Sequence, residues 1–188
     1  MHRKDAIAGP IVLLMVMALN VSPAWAAKRA AAEGCTGTLV RAEAADARRI
    51  AGDAILCLVN HERKKHRLAP VHLSQPLTRS ATAHSEDMAQ SKFFSHVGSG
   101  GTSLRERVGR SGYLRGGRDQ VAETIAWGAA EFGTPMLLLR SLMGSPGHRR
   151  VILGGRFRDV GVGVASGAPF LGSSGDGATL TLVFGRRR

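Results

Sequence analysis

The chain has 188 residues, 26 lysines and arginines against 14 aspartates and glutamates, and a formal charge of +12. Its length matches one domain, its 44% hydrophobic content is too high for a largely disordered chain, and its two cysteines exclude a disulfide-dense miniprotein. The charge alone leaves open a nucleic-acid binder, an adherent surface protein or an arginine-rich composition without a surface role.

Residues 1–26 read as a secretory leader: basic Arg3 and Lys4, an apolar run from Ile11 to Leu19, then Ala24-Trp25-Ala26 with small residues at both cleavage-recognition positions. Asn20, Ser22 and Pro23 end the run well short of the ~20 apolar residues that a spanning helix needs. Removing Arg3, Lys4 and Asp5 with the leader leaves 24 basic and 13 acidic residues, a charge of +11. The charge therefore belongs to the exported part. In an oxidising compartment Cys35 and Cys57 are expected to form a bridge. It would tie an N-terminal extension, residues 27–45, to the domain over 46–188, and would remove ~3 kcal/mol of unfolded-state entropy.

Ile50, Ala54, Ile55, Leu58 and Val59 recur on one stripe and predict an amphipathic helix from Arg41 to about Lys65. A short extended piece follows at residues 71–73. Ser74-Gln75-Pro76 opens a second helix whose inward stripe is Leu77, Ala81, His84 and Met88. His84 on that stripe reads as a core histidine. Thr102 or Ser103 caps a short third helix through Val108, and residues 113–119 form a loop. Residues 121–127 are β-prone and expected as a central strand. Thr134-Pro135 opens a leucine-rich helix over residues 136–143, and Ser145-Pro146 opens another, with Ser145 as its cap. Val160, Val162 and Val164 alternate with Gly161, Gly163 and Ala165, the pattern of a strand beside a closely approaching layer. Residues 179–184 supply the last strand, antiparallel to it. The sum is an α+β layered domain.

The chain carries no Gly-x-Ser-x-Gly, no phosphate-cradling glycine loop with lysine, no His-Glu-x-x-His and no Cys-x-x-Cys. Polar residues at element edges remain: His96, Glu123 and His148. Glu123 shares a strand face with Val121 and Ile125, so it is either exposed or a buried carboxylate that needs partners. His148, third in its helix, sits where the macrodipole favours a neutral ring, and it also suits a surface position between Gly147 and Arg149.

The ordered motifs Cys57-Leu58-Val59-Asn60-His61-Glu62-Arg63, Ala83-His84-Ser85-Glu86-Asp87-Met88, Phe93-Phe94-Ser95-His96, Ala122-Glu123-Thr124-Ile125-Ala126, Ser145-Pro146-Gly147-His148-Arg149 and Val183-Phe184-Gly185 resemble bacterial members of the CAP superfamily. That superfamily groups cysteine-rich secretory, antigen 5 and pathogenesis-related proteins, and the resemblance covers residues 50–185. It implies a three-layer α-β-α sandwich, secreted, with a polar cleft of two histidines and two glutamates that in some members bind a divalent metal. His96, Glu123 and His148 match three of the four, and Ser145 stands where the second glutamate would be. The family's Gly-Glu-Asn reads Ala122-Glu123-Thr124 here.

Three readings of function follow. The first is a secreted, monomeric binding protein for a lipid, small apolar ligand or envelope component. Lipid and sterol binding are reported widely in the superfamily, and the reduced polar set lacks a nucleophile. The second is a hydrolase with zinc on His96, His148 and Glu123. The third is a basic protein adhering to anionic envelope polymers through Arg149, Arg150, Arg156, Arg158 and Arg186–Arg188. Against specific nucleic-acid recognition stand the leader, the scarcity of stacking aromatics and the lack of a recognition-helix motif.

Overall fold

The computed structural model describes residues 34–170 and 176–187. The leader expected over residues 1–26 lies outside them. The first amphipathic stripe forms helix α1, Ala45–Lys65, burying Ala51, Ala54, Ile55, Leu58 and Val59. Cys35 is bonded to Cys57, with Cα atoms 5.7 Å apart, and this fastens the segment before α1 to the helix.

The polar residues at the end of α1 are struts. Asn60 donates its amide to the Val71 carbonyl and accepts the Val71 N–H. Arg63 is fully buried, and its guanidinium donates to the carbonyls of Ala69, Ile152, Gly154 and Phe157. Strand β1, His72–Leu73, follows, and then helix α2, Gln75–Ser91. Ser74 takes the N-cap position of α2 without a side-chain bond. At helix α3, Leu104–Arg110, the cap is complete: Ser103 and Glu106 form a reciprocal capping box.

Strand β2, Gln120–Ala129, leads through a 3₁₀ turn, Ala130–Gly133, into helices α4, Pro135–Gly144, and α5, Pro146–Ile152. Thr134 and Ser145 occupy the N-cap positions, but neither side chain caps its helix, and Thr134 bonds the Glu131 carbonyl instead. Strands β3, Asp159–Ser166, and β4, Gly177–Arg186, complete the sheet.

The strand order is β1-β3-β4-β2, with β1 parallel to β3 and the other neighbours antiparallel. The strand over residues 121–127, expected in the centre, is therefore at an edge. Its apolar alternation reports two covered faces and carries no information about how many neighbours it bonds. Helices α1, α4 and α5 cover one face, where Val160, Val162, Val164, Leu180, Leu182 and Phe184 build the main core. Helices α2 and α3 cover the other, with Leu77, Ala81, Val108, Tyr113 and Val183. The fold is a three-layer α-β-α arrangement of α+β class. Gly161 and Gly163 explain how closely α2 lies on the sheet: a Cβ at either would collide with the backbone of Leu77 or of Ala81–Thr82.

Candidate functional site: a carboxylate held between two histidines and an arginine

Glu123 lies in mid-β2 on the α2–α3 face, only 8% exposed, between Val121 and Ile125 on the same pleat. A carboxylate so placed needs partners, and it has them. Oε1 accepts a hydrogen bond from His96 Nδ1 at 2.8 Å, and Oε2 accepts one from Arg107 Nη2 at 2.7 Å. His84 Nε2 lies 3.9 Å from Oε1. An ionised carboxylate only accepts, so His96 carries its proton on Nδ1 and turns Nε2 away from Glu123. The His96 side chain is 55% exposed, and it brings an imidazole edge to solvent above a buried anion.

One loop positions most of this. Lys92 leaves α2 in a left-handed conformation (φ 55°) and turns the chain back over the sheet. Phe93 then tilts against the His84 ring, centroids 6.3 Å apart, and the Ser95 carbonyl accepts the His84 Nε2–H at 2.9 Å. Past His96 the loop is anchored by Asp87 of α2, whose carboxylate accepts the Ser99 N–H and hydroxyl. The capping box fixes the start of α3 and so aims Arg107, whose Nη1 also donates to the carbonyls of His96 and Thr102. Arg107 thus ties the loop and the strand together through a single guanidinium.

His84 is buried, as its place on the α2 stripe predicts, yet it also belongs to the site. With Nε2–H directed at Ser95, its Nδ1 is a buried atom without a hydrogen-bond partner. Burial holds its pKa below the ordinary histidine value, opposed by the adjacent Glu123 charge and reinforced by Arg107. His148, in the first turn of α5, is half-buried. Burial lowers its pKa too, and the charge of nearby His96 adds to the effect. Ser145 sits at the junction of α4 and α5, where its N–H bonds the Leu142 carbonyl and its carbonyl accepts from Arg149.

A divalent metal held by His96 and His148 would need an anionic ligand from the same set. Glu123 would have to supply the anionic ligand, but Oε2 is occupied by Arg107 and Oε1 by His96 Nδ1–H. A cation at Glu123 would have to displace the guanidinium and then lie beside its positive charge. Among the described residues no three His, Cys, Asp or Glu side chains come together as a metal-holding group. His96, Glu123 and His148 do not fit a zinc ion as they stand.

Beside this polar site the same loop exposes aromatic surface. Phe94 points outward and lies 6.5 Å from the Phe170 ring, which meets Trp127 edge-on at 5.0 Å. Trp127 shares the pleat of Glu123, four residues on, about 13 Å along the strand. Beyond it, Phe132 is 62% exposed, and Trp127, Phe132, Leu137, Arg140 and Ser141 line a shallow concavity. The sequence singled out His96, Glu123 and His148, of which the structure hydrogen-bonds His96 to Glu123 and couples His148 to His96 only electrostatically, but it singled out neither Arg107 nor this strip. The spacing of Ser103 and Glu106, which places α3, was the one local signal for Arg107.

Residues 56–175 match the model of the family described as "Cysteine-rich secretory protein family". The "Uncharacterized membrane protein YlbC" of Bacillus subtilis (strain 168) is 34% identical over 110 residues, 58% of this chain and 30% of that protein. YkwD of the same organism is 35% identical over 114 residues, 59% of this chain and 41% of that protein. The chain thus spans well under half the length of these relatives. An extracellular SCP-domain protein from Bacillus anthracis str. Ames superposes with a TM-score of 0.63 at 26% identity, over 77% of this chain and 44% of that one. Among the described residues no helix is long and apolar enough to cross a membrane.

Proposed function

Starting from a chain that belongs to the cysteine-rich secretory protein (CAP) family, we propose that it is an extracytoplasmic binding protein for a lipid or other small apolar ligand. The ligand lies along the Phe94–Phe170–Trp127 strip. One observation carries the reading: aromatic rings stand exposed in mutual contact on the face that holds Glu123, and the loop that bears Phe94 also carries His96 of the polar site. Exposed contiguous apolar surface on a small domain marks a place where something binds. Rings that already pack on one another lose little freedom when a ligand arrives.

The polar site supports binding better than hydrolysis. Its carboxylate is tied on both oxygens, so it is unavailable as a base, and among the described residues no serine or cysteine nucleophile stands beside His96 in a hydrogen-bonded pair. The polar rim at His96 and Lys92 suits a ligand with a polar end. The expected secretory leader and the extracellular character of the Bacillus anthracis neighbour support a location outside the cytoplasm.

Trp127 is the only tryptophan once residues 1–26, with Trp25, are removed, so it serves as a built-in reporter. Titrating phospholipids, fatty acids and sterols should shift its emission saturably. Trp127→Phe preserves the ring but silences the signal, whereas Phe94→Ala weakens binding by about tenfold, the effect of ~1.4 kcal/mol. Flat titrations across the panel would refute the reading, and a concentration-dependent dimer closed by the strip would reassign it to self-association.

A further inference from the structure

The end of the sheet remote from the aromatic strip is basic, and its arginines are held in place. Strands β1 and β3 begin here and β4 ends here, about 30 Å along the ladder from Gly177. The loop over residues 154–158 lies between the end of α1 and the end of β4. Arg63 of α1 grips it through the Gly154 and Phe157 carbonyls, and the Arg158 N–H donates to the Gly185 carbonyl. This brings together Arg67 after α1, Arg149 on α5, Arg156 and Arg158 on the loop, and Arg187 after β4, all exposed.

These side chains are ordered by contacts within the protein. Arg187 lies over the Tyr113 ring at 4.4 Å and Arg156 over the Phe157 ring at 5.0 Å. Arg158 Nη1 is pinned to the carbonyls of Gly155 and Phe157, and Arg149 Nη2 lies 3.4 Å from His66 Nε2. A guanidinium laid flat on a ring or tied by one edge keeps its other N–H groups outward. It has already lost much of the rotamer freedom that binding would otherwise remove. The carboxylates at this end have other engagements: Asp159 accepts the Tyr113 hydroxyl, Asp119 accepts the N–H groups of Arg115 and Gly116, and Glu62 pairs with Lys65.

We infer that this end is a docking surface for a polymer of repeated phosphate groups, whose oxygens match the guanidinium forks of Arg149, Arg156, Arg158 and Arg187. A bilayer is disfavoured by the lack of anything to insert. Among the described residues Leu73 is the only large apolar side chain exposed here, and the exposed aromatic rings lie at the far end. Base stacking is disfavoured as well, because Tyr113 is buried beneath Arg187. Polymer bound at this end leaves the strip about 30 Å away uncovered. The inference stands independently of the apolar-ligand reading.

The test is retention and affinity on polyphosphate and on polygalacturonate across a salt series, with phosphatidylglycerol vesicles in parallel. The intact chain should bind polyphosphate, with log K falling linearly in log salt, and retention on polygalacturonate alone would overturn the assignment to phosphate. Arg156→Gln/Arg158→Gln/Arg187→Gln should lose tenfold or more and reduce the magnitude of the salt slope by about three. The control Arg41→Gln/Arg48→Gln/Arg49→Gln removes the same charge around the start of α1, at the opposite end, and should keep nearly all the affinity. Should the first variant misfold, Arg149→Gln/Arg187→Gln avoids the pinned loop and should still lose several-fold. Equal losses in test and control variants would reduce the effect to net charge and overturn the docking surface. No binding at low salt, or binding to vesicles alone, would overturn it too.

Discussion

The two faces of the sheet are built from opposite chemistry. Under α1, α4 and α5 the strands present mainly valine, leucine and phenylalanine, with Thr124 a buried hydroxyl among them. Under α2 and α3 the same strands present Gly161, Gly163, Thr179, Thr181 and Glu123, met by Ser85 and His84. Ser85 Oγ bonds the Gly163 carbonyl and Thr181 Oγ1, so even the close helix–strand contact is polar. Side chains alternate strictly between the faces of a strand. One face can therefore hold the fold together while the other carries a polar site, within the same few residues.

The sharpest way to break this division is to fill the close contact. Gly163→Val places a side chain into the Ala81–Thr82 backbone, which is unable to yield without moving α2. The variant should fail to fold, as read by loss of a cooperative thermal transition. Glu123→Gln comes next. Both members of the Glu123–Arg107 pair are largely buried, so removing one charge strands the other and should cost about 3–5 kcal/mol in denaturant melts. Adding Arg107→Met should recover much of the loss, because the double variant leaves no buried charge. Additive losses would show that the two groups act independently.

On the apolar face Leu182→Ala should cost about 2–5 kcal/mol as a cavity, with Trp127 ligand titrations unchanged. Altered ligand binding in that variant would erase the division of labour between the faces. The smallest effect is that of pH. Burial depresses the His84 pKa, so below about 6.5 the unfolded chain takes up a proton that the folded chain resists. Stability should therefore fall as pH drops below that value, and His84→Gln should flatten the decline. His148, also depressed, adds a smaller share of the same sign. An unchanged decline in His84→Gln would remove His84 as its source.

Much of this architecture was legible in local patterns. The α1 stripe, the valine–glycine alternation of β3 and the Ser103 cap each report a contact made within a few residues or across one face. The partner of Glu123 was hidden for the opposite reason. Arg107 lies sixteen residues earlier on another element, and in so basic a chain no spacing singles out one arginine. The edge position of β2 was hidden because alternation reports burial of faces and not of hydrogen-bonding neighbours. Ser145 shows the reverse error: its position at the helix start was readable, whereas the capping bond expected of its side chain is not formed. The aromatic strip escaped because Phe94, Phe170 and Trp127 meet only in three dimensions.

This face receives an apolar ligand above a polar site whose carboxylate Arg107 has already neutralised, a reading exposed to test by native mass spectrometry of the chain purified with neither added metal nor chelator. The expected species is a monomer that carries a lipid-sized adduct, or takes one up from a lipid panel, with no stoichiometric metal. One zinc per chain that disappears in His96→Ala and Glu123→Gln, with no apolar adduct, would contradict it.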